Sequence, residues 1–137
     1  MTIYVIISIV SGLLFGTMDA FIHANPLARR LFSVYRPIAK EKINVVAGSA
    51  IDLAYGFILA ALFLQLYDML PGMNGLLKGI SFALLVWFFR VVMNVASQWM
   101  MYTIPAAALI YSLFTGLAEM LVLGLLYGWY LSPYITI

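Results

Sequence analysis

The 137-residue sequence predicts an all-α integral membrane protein, with four antiparallel transmembrane helices in a bundle and a short amphipathic interfacial helix between helices 1 and 2. Three observations predict it. Hydrophobic residues make up 66% of the chain and charged residues only 9%, with a mean hydropathy of +1.08, whereas a soluble domain carries about 25% charged residues. Four apolar stretches each reach the roughly 20 residues that cross a hydrocarbon core of about 30 Å. Five of the seven basic residues fall in one connection, between the first two stretches. The length suits a single domain.

The first span covers about residues 3–23. Ser8, Gly12 and Gly16 recur every four residues, a small-residue stripe that admits a close neighbour. Asp19 and His23 continue that side at i,i+4 spacing. Met1 to Tyr4 has no positive n-region and no cleavage-site pattern follows, so the stretch reads as a retained helix. Asn25 then caps and Pro26 opens an interfacial helix over about residues 26–35. Leu27, Leu31, Phe32, Val34 and Tyr35 fall on one side of it, with Arg29, Arg30, Ser33 and Arg36 on the other.

The second span covers about residues 43–67 and repeats Gly48, Asp52, Gly56 and Ala60 at intervals of four. That spacing puts Asp52 on a tightly packed stripe. A Pro/Gly turn over residues 68–75 leads into the third span, about 76–101. Arg90 lies at its centre, and Arg90, Asn94 and Gln98 make a polar stripe at i, i+4 and i+8. Trp87, Phe88 and Phe89 read as core or lipid-facing bulk. A tight hairpin and Pro105 open the fourth span, about 105–131, with Ser112, Thr115, Gly116 and Glu119 on one face. Tyr127, Trp129, Tyr130 and Tyr134 close it as an aromatic anchor. Gly-Leu-Leu-x-Gly occurs at residues 12–16, 75–79 and 124–128, and the last two would mark a close contact between the third and fourth spans.

Arg90 organises the expected site. A guanidinium is not neutralised by deprotonation, and a charge at mid-membrane costs about 2.5–3.5 kcal/mol even on the lenient insertion scale. It must meet an acid, and Asp52 and Glu119 stand at similar depth. The candidate substrate, ion or proton-relay residues are therefore Asp19, His23, Asp52, Arg90, Asn94, Gln98 and Glu119. Either the cluster is a helix-locking ion pair, or a surplus acid binds a cation or relays protons. Asn94 and Gln98 also suit the plainer role of interhelical hydrogen-bond glue.

Cysteine is absent, which excludes disulfides and thiol chemistry. The single histidine, His23, argues against metal or haem ligation and is expected to bond Asp19. No metal, cofactor or catalytic residue is expected, no nucleotide or hydrolase motif is present, and an enzyme is the less favoured class. No nucleic-acid-binding stripe is present either. The positive-inside rule sets Arg29, Arg30, Arg36, Lys40 and Lys42 in the cytoplasm against anionic headgroups, with both termini outside. A prokaryotic inner (cytoplasmic) membrane is the expected location.

Two functions remain open. One is a small transporter or channel for a small solute, ion or proton, working as a homo-oligomer. The alternative is a structural or accessory subunit of a larger membrane complex. In size and number of spans the chain broadly resembles the small multidrug resistance transporters. Those carry one acid in an otherwise uncharged first helix, whereas here acids occupy three helices and face Arg90, so no residue is carried over.

Overall fold

The computed structural model describes residues 1–135. These are helical throughout their ordered elements, and no strand occurs among the described residues. The order is α1 (Thr2–Ala24), α2 (Pro26–Leu31), a 3-10 helix (Phe32–Ile38), α3 (Val45–Leu66), α4 (Gly75–Trp87), a π-helical turn (Phe88–Val92), α5 (Met93–Met101), α6 (Ala106–Tyr130) and α7 (Ser132–Ile135). Four helices are long and apolar enough to cross a membrane: Thr2–Ala24, Val45–Leu66, Gly75–Met101 and Ala106–Tyr130. At about 1.5 Å per residue each exceeds 30 Å.

Local chemistry explains the boundaries. Asn25, Asn44 and Asn74 each cap a helix, accepting from the backbone N–H of Ala28 at 2.8 Å, Ala47 at 3.1 Å and Leu77 at 2.9 Å. Pro26 occupies the first turn of α2, where no N–H is needed. The segment expected as one helix over residues 26–35 instead tightens after Leu31 and runs as 3-10 helix to Ile38. Pro37 cannot donate to a continuing ladder. Gly72, at φ 144°, makes the turn between α3 and α4 that an L side chain resists.

Packing follows the small residues. α1 lies mainly along α3, and α4 along α6. A Cβ placed on Gly12 would sit 2.9 Å from Leu53 Cα, and one on Gly56 would sit 2.6 Å from the Gly12 nitrogen. In the other pair, Gly75 and Gly79 meet Gly128 and Gly124, so the two later Gly-Leu-Leu-x-Gly repeats do touch. Phe63, Phe82 and Tyr127 join the pairs, with ring centroids 5.3 to 6.1 Å apart. Ile7 completes this core from α1. The core fills the end of the molecule where α1 and α4 begin and α3 and α6 finish.

Candidate functional site

At the other end the helices part around a cavity of about 280 Å³. Six of the seven expected residues line it: Asp19, His23, Arg90, Asn94, Gln98 and Glu119. α1 supplies the first two from its last turns. The α4–α5 rod supplies the next three, and α6 supplies Glu119. Thr115 and Ser112 stand one and two turns earlier on the same face of α6, also in the wall.

Arg90 sits inside the π-helical turn. There the Met93 N–H reaches back five residues to the Phe88 carbonyl, which inserts one extra residue into the ladder. Trp87, at the start of this turn, donates its indole N–H to Leu113 O at 2.9 Å and ties the rod to α6. Arg90 Nη1 lies 3.5 Å from Glu119 Oε2. Its guanidinium carbon is also 4.8 Å from the Phe15 ring and 5.1 Å from the Tyr55 ring, which stack on one another. Two aromatic faces and one carboxylate therefore hold the cation.

Glu119 is only 4% exposed, and its second oxygen, Oε1, has no hydrogen-bond partner. A buried carboxylate oxygen without a partner costs free energy, and Arg90 meets only the other oxygen. The neighbouring hydroxyls do not donate to it. Ser112 donates to Ala108 O at 3.1 Å and Thr115 to Tyr111 O at 2.7 Å, so both hydroxyl protons are committed to the α6 backbone.

The mouth is built from α1 and the 3-10 segment. His23 Nδ1 lies 3.0 Å from Asp19 O and 3.3 Å from Asp19 Oδ1. Both partners accept, so Nδ1 carries the proton and donates. Phe32 stacks on the imidazole at 5.6 Å. The Tyr35 hydroxyl donates to Gln98 Oε1 at 2.6 Å, and burial with the nearby Tyr102 pushes its phenol above the ordinary tyrosine range. Gln98 thus bonds the connecting segment, not a neighbouring span. Asn94 is exposed on the cavity wall. Beside it, Tyr111 donates to Ile22 O at 2.6 Å and accepts from Asn25 at 2.9 Å, latching α6 to the end of α1.

Asp52 stands apart from the six. It is half-buried over Gly16, in a second and larger groove between α1 and α3 that Gly48 and Arg29 also line and that shares Asp19 and His23 with the first cavity. Among the described residues no ion pair within 4.0 Å joins it to Arg90. The close approach of Gly12 and Gly56 sets the rotation of α3. The packed stripe reaches Asp52, whose backbone oxygen lies over Gly12 and whose carboxylate lies over Gly16, and it ends before Gly48, which has nothing within 4 Å.

Sequence reasoning did not single out Phe15, Tyr55, Phe32, Tyr35 or Tyr111 as parts of this site. Each is an aromatic in an aromatic-rich chain, and only the cation and amides they contact mark them. Among the described residues no group of three or more His, Cys, Asp and Glu side chains is placed to hold a metal ion. No protein-family model matches the chain, and no curated protein or solved structure matches it either.

Proposed function

We propose that the chain is a multi-pass membrane protein, a bundle of four antiparallel spans, and that it moves a small polar solute, ion or proton by way of the Arg90–Glu119 cavity. The outward surface supports the membrane reading. Large apolar side chains face out on every long helix, with Leu13, Ile58, Phe89 and Phe114 each more than half exposed. A water-facing surface would not be built from them. Lys and Arg placement favours a cytoplasmic position for residues 29–42, and the cavity then opens toward the cytoplasm beside Phe32 and His23. The five bases there would meet anionic headgroups.

One observation carries the transport reading: a polar cavity opens at one end and has the Arg90–Glu119 pair in its wall. A pair that served only to lock helices would need no polar, water-sized space beside it. The aromatic core of Phe63, Phe82 and Tyr127 blocks the far half, so passage requires the rod and α6 to shift. The π-helical turn is the place where their ladder is already interrupted. A homo-oligomer is the expected working form.

The second reading, an accessory subunit braced by the same pair, is favoured by that aromatic closure. Reconstitution into liposomes separates the two. Proton entry is followed with a trapped pH dye and sodium entry with a trapped sodium dye, and thermal melting is measured in parallel. Under the transport reading Glu119→Gln abolishes flux while the melt holds. A wild-type protein without flux, in which Glu119→Gln also fails to fold, identifies the bracing role.

A further inference from the structure

Along the α4–α5 rod, Arg90, Asn94 and Gln98 line the cavity with N–H donors that the protein itself does not use. Arg90 Nη1 reaches Glu119 Oε2 at 3.5 Å, longer than a charge-assisted hydrogen bond. Its other N–H groups donate to no protein acceptor, and the Phe15 and Tyr55 rings beside it offer no oxygen. The Asn94 side chain bonds no protein group. Gln98 Oε1 accepts from the Tyr35 hydroxyl at 2.6 Å, which leaves the Gln98 NH2 group over. None of these nitrogens is sealed in. Among the described residues, the buried side-chain polar atoms without a partner are Glu119 Oε1 and the Tyr127 hydroxyl.

The facing helices hold the opposite kind of group. The Ser112 and Thr115 hydroxyls have given their protons to the α6 backbone, so toward anything else they only accept. At the mouth the Asp19 side chain is 44% exposed. We propose that the cavity binds a small uncharged solute bearing a primary amide. Its carbonyl oxygen sits on the N–H groups of Arg90 and Asn94, which are one turn apart. Its NH2 group turns to Asp19 and the two hydroxyl oxygens.

Charge argues for a neutral occupant whichever way His23 is protonated. Arg90 and His23 at most offset Asp19 and Glu119, so no state of the walls is positive and an anion finds no surplus cation. A cation would meet the N–H stripe, and the unpartnered Glu119 oxygen is buried away from the space. A primary amide joins one acceptor and two donors on a single planar group, which matches donors on the rod and acceptors across from it. The volume of about 280 Å³ holds roughly nine waters at about 30 Å³ each, so a small amide enters with part of its water.

This inference rests on the cavity being the working site and names the class of solute. Acetamide binding without acetamide entry into liposomes would retain it and remove the transport reading. Proton or sodium entry without acetamide binding would do the reverse.

The test titrates acetamide against the full chain in lipid nanodiscs, with binding read as saturation transfer to the acetamide methyl protons and empty nanodiscs subtracted. Saturable binding is expected, with a Kd on the order of 1 mM for a ligand of so few atoms. N,N-Dimethylacetamide keeps the carbonyl but has no N–H, and should bind about tenfold more weakly. Acetate, ethylammonium and glycerol at the same concentration should not displace acetamide. Asn94→Ala removes no bond within the protein, so its melt should match wild type while its Kd for acetamide rises about tenfold. Asn94→Asp keeps the shape, turns the donor into an acceptor, and carries the test if Asn94→Ala does not fold. Its Kd should rise at least as far. The proposal is overturned if acetamide binding does not saturate, if any of the three competitors displaces it, if dimethylacetamide binds as tightly, or if the folded Asn94 variant binds as wild type does.

Discussion

The same two helical rods, α4–α5 and α6, meet in opposite ways at their two ends. Around Gly79 and Gly124 their backbones are so close that a Cβ on Gly124 would sit 2.8 Å from the Ala83 Cβ. Past the π-helical turn their backbones draw apart, joined by a smaller apolar cluster of Val91, Val95 and Leu109, and the cavity beside it is lined by Arg90, Glu119, Ser112 and Thr115. One end gains stability through close apolar packing, where dispersion and the stacked rings of Phe63, Phe82 and Tyr127 suffice. The other end gives up packing density and keeps charge, which a low-dielectric interior tolerates only when it is paired. Among these four long apolar helices a polar site therefore has room only where the close backbone contacts of the glycines stop.

The contrast can be broken from either end. Arg90→Leu should have the largest effect. It leaves Glu119 buried without its cation, and breaking such a pair costs about 3–5 kcal/mol. Adding Glu119→Leu to it should recover most of the melting temperature, because two apolar groups need no partner. If the double variant melts no higher than Arg90→Leu alone, the pair does not brace this end.

Gly124→Leu comes next, acting at the packed end. Overpacking of this kind costs about 1–3 kcal/mol, and the added side chain would have to force the Gly79 backbone away. The expected readout is a lower melting temperature. An unchanged melt would mean that the close glycine contact is not needed.

Gly48→Ala sharpens the comparison by its silence. Gly48 belongs to the same four-residue repeat as Gly56, yet an added Cβ meets nothing within 4 Å. Its melting temperature should stay at the wild-type value or rise slightly, since alanine favours a helix interior by about 1 kcal/mol over glycine. A clear fall would place a neighbour over the groove beside Asp52, as a second copy of the chain would.

Much of this was legible along the chain. Length and apolarity marked four helices, and Asn25-Pro26 marked where the first stops. Repeats at residues 75–79 and 124–128 pointed to the contact they make. Arg90 pointed to a site and to two acids, but the choice of Glu119 over Asp52 was not legible. Both stand at a similar height along their helices, and rotation about the helix axis separates them. For α3 that rotation follows from how Gly56 seats on Gly12. The π-helical turn has no residue signature of its own, since Phe-Phe-Arg-Val-Val fits an α-helix equally well.

What the sequence alone determined is one-dimensional: which stretches are apolar enough to span, where they end, and that a permanent cation near the middle of one of them must find a carboxylate. Only the tertiary structure decided which carboxylate, and that its second oxygen would be buried without a hydrogen-bond partner. The physical reason is that apolarity and charge belong to residues, whereas pairing and cavity shape depend on the rotation and separation of helices. Those are set by contacts tens of residues apart.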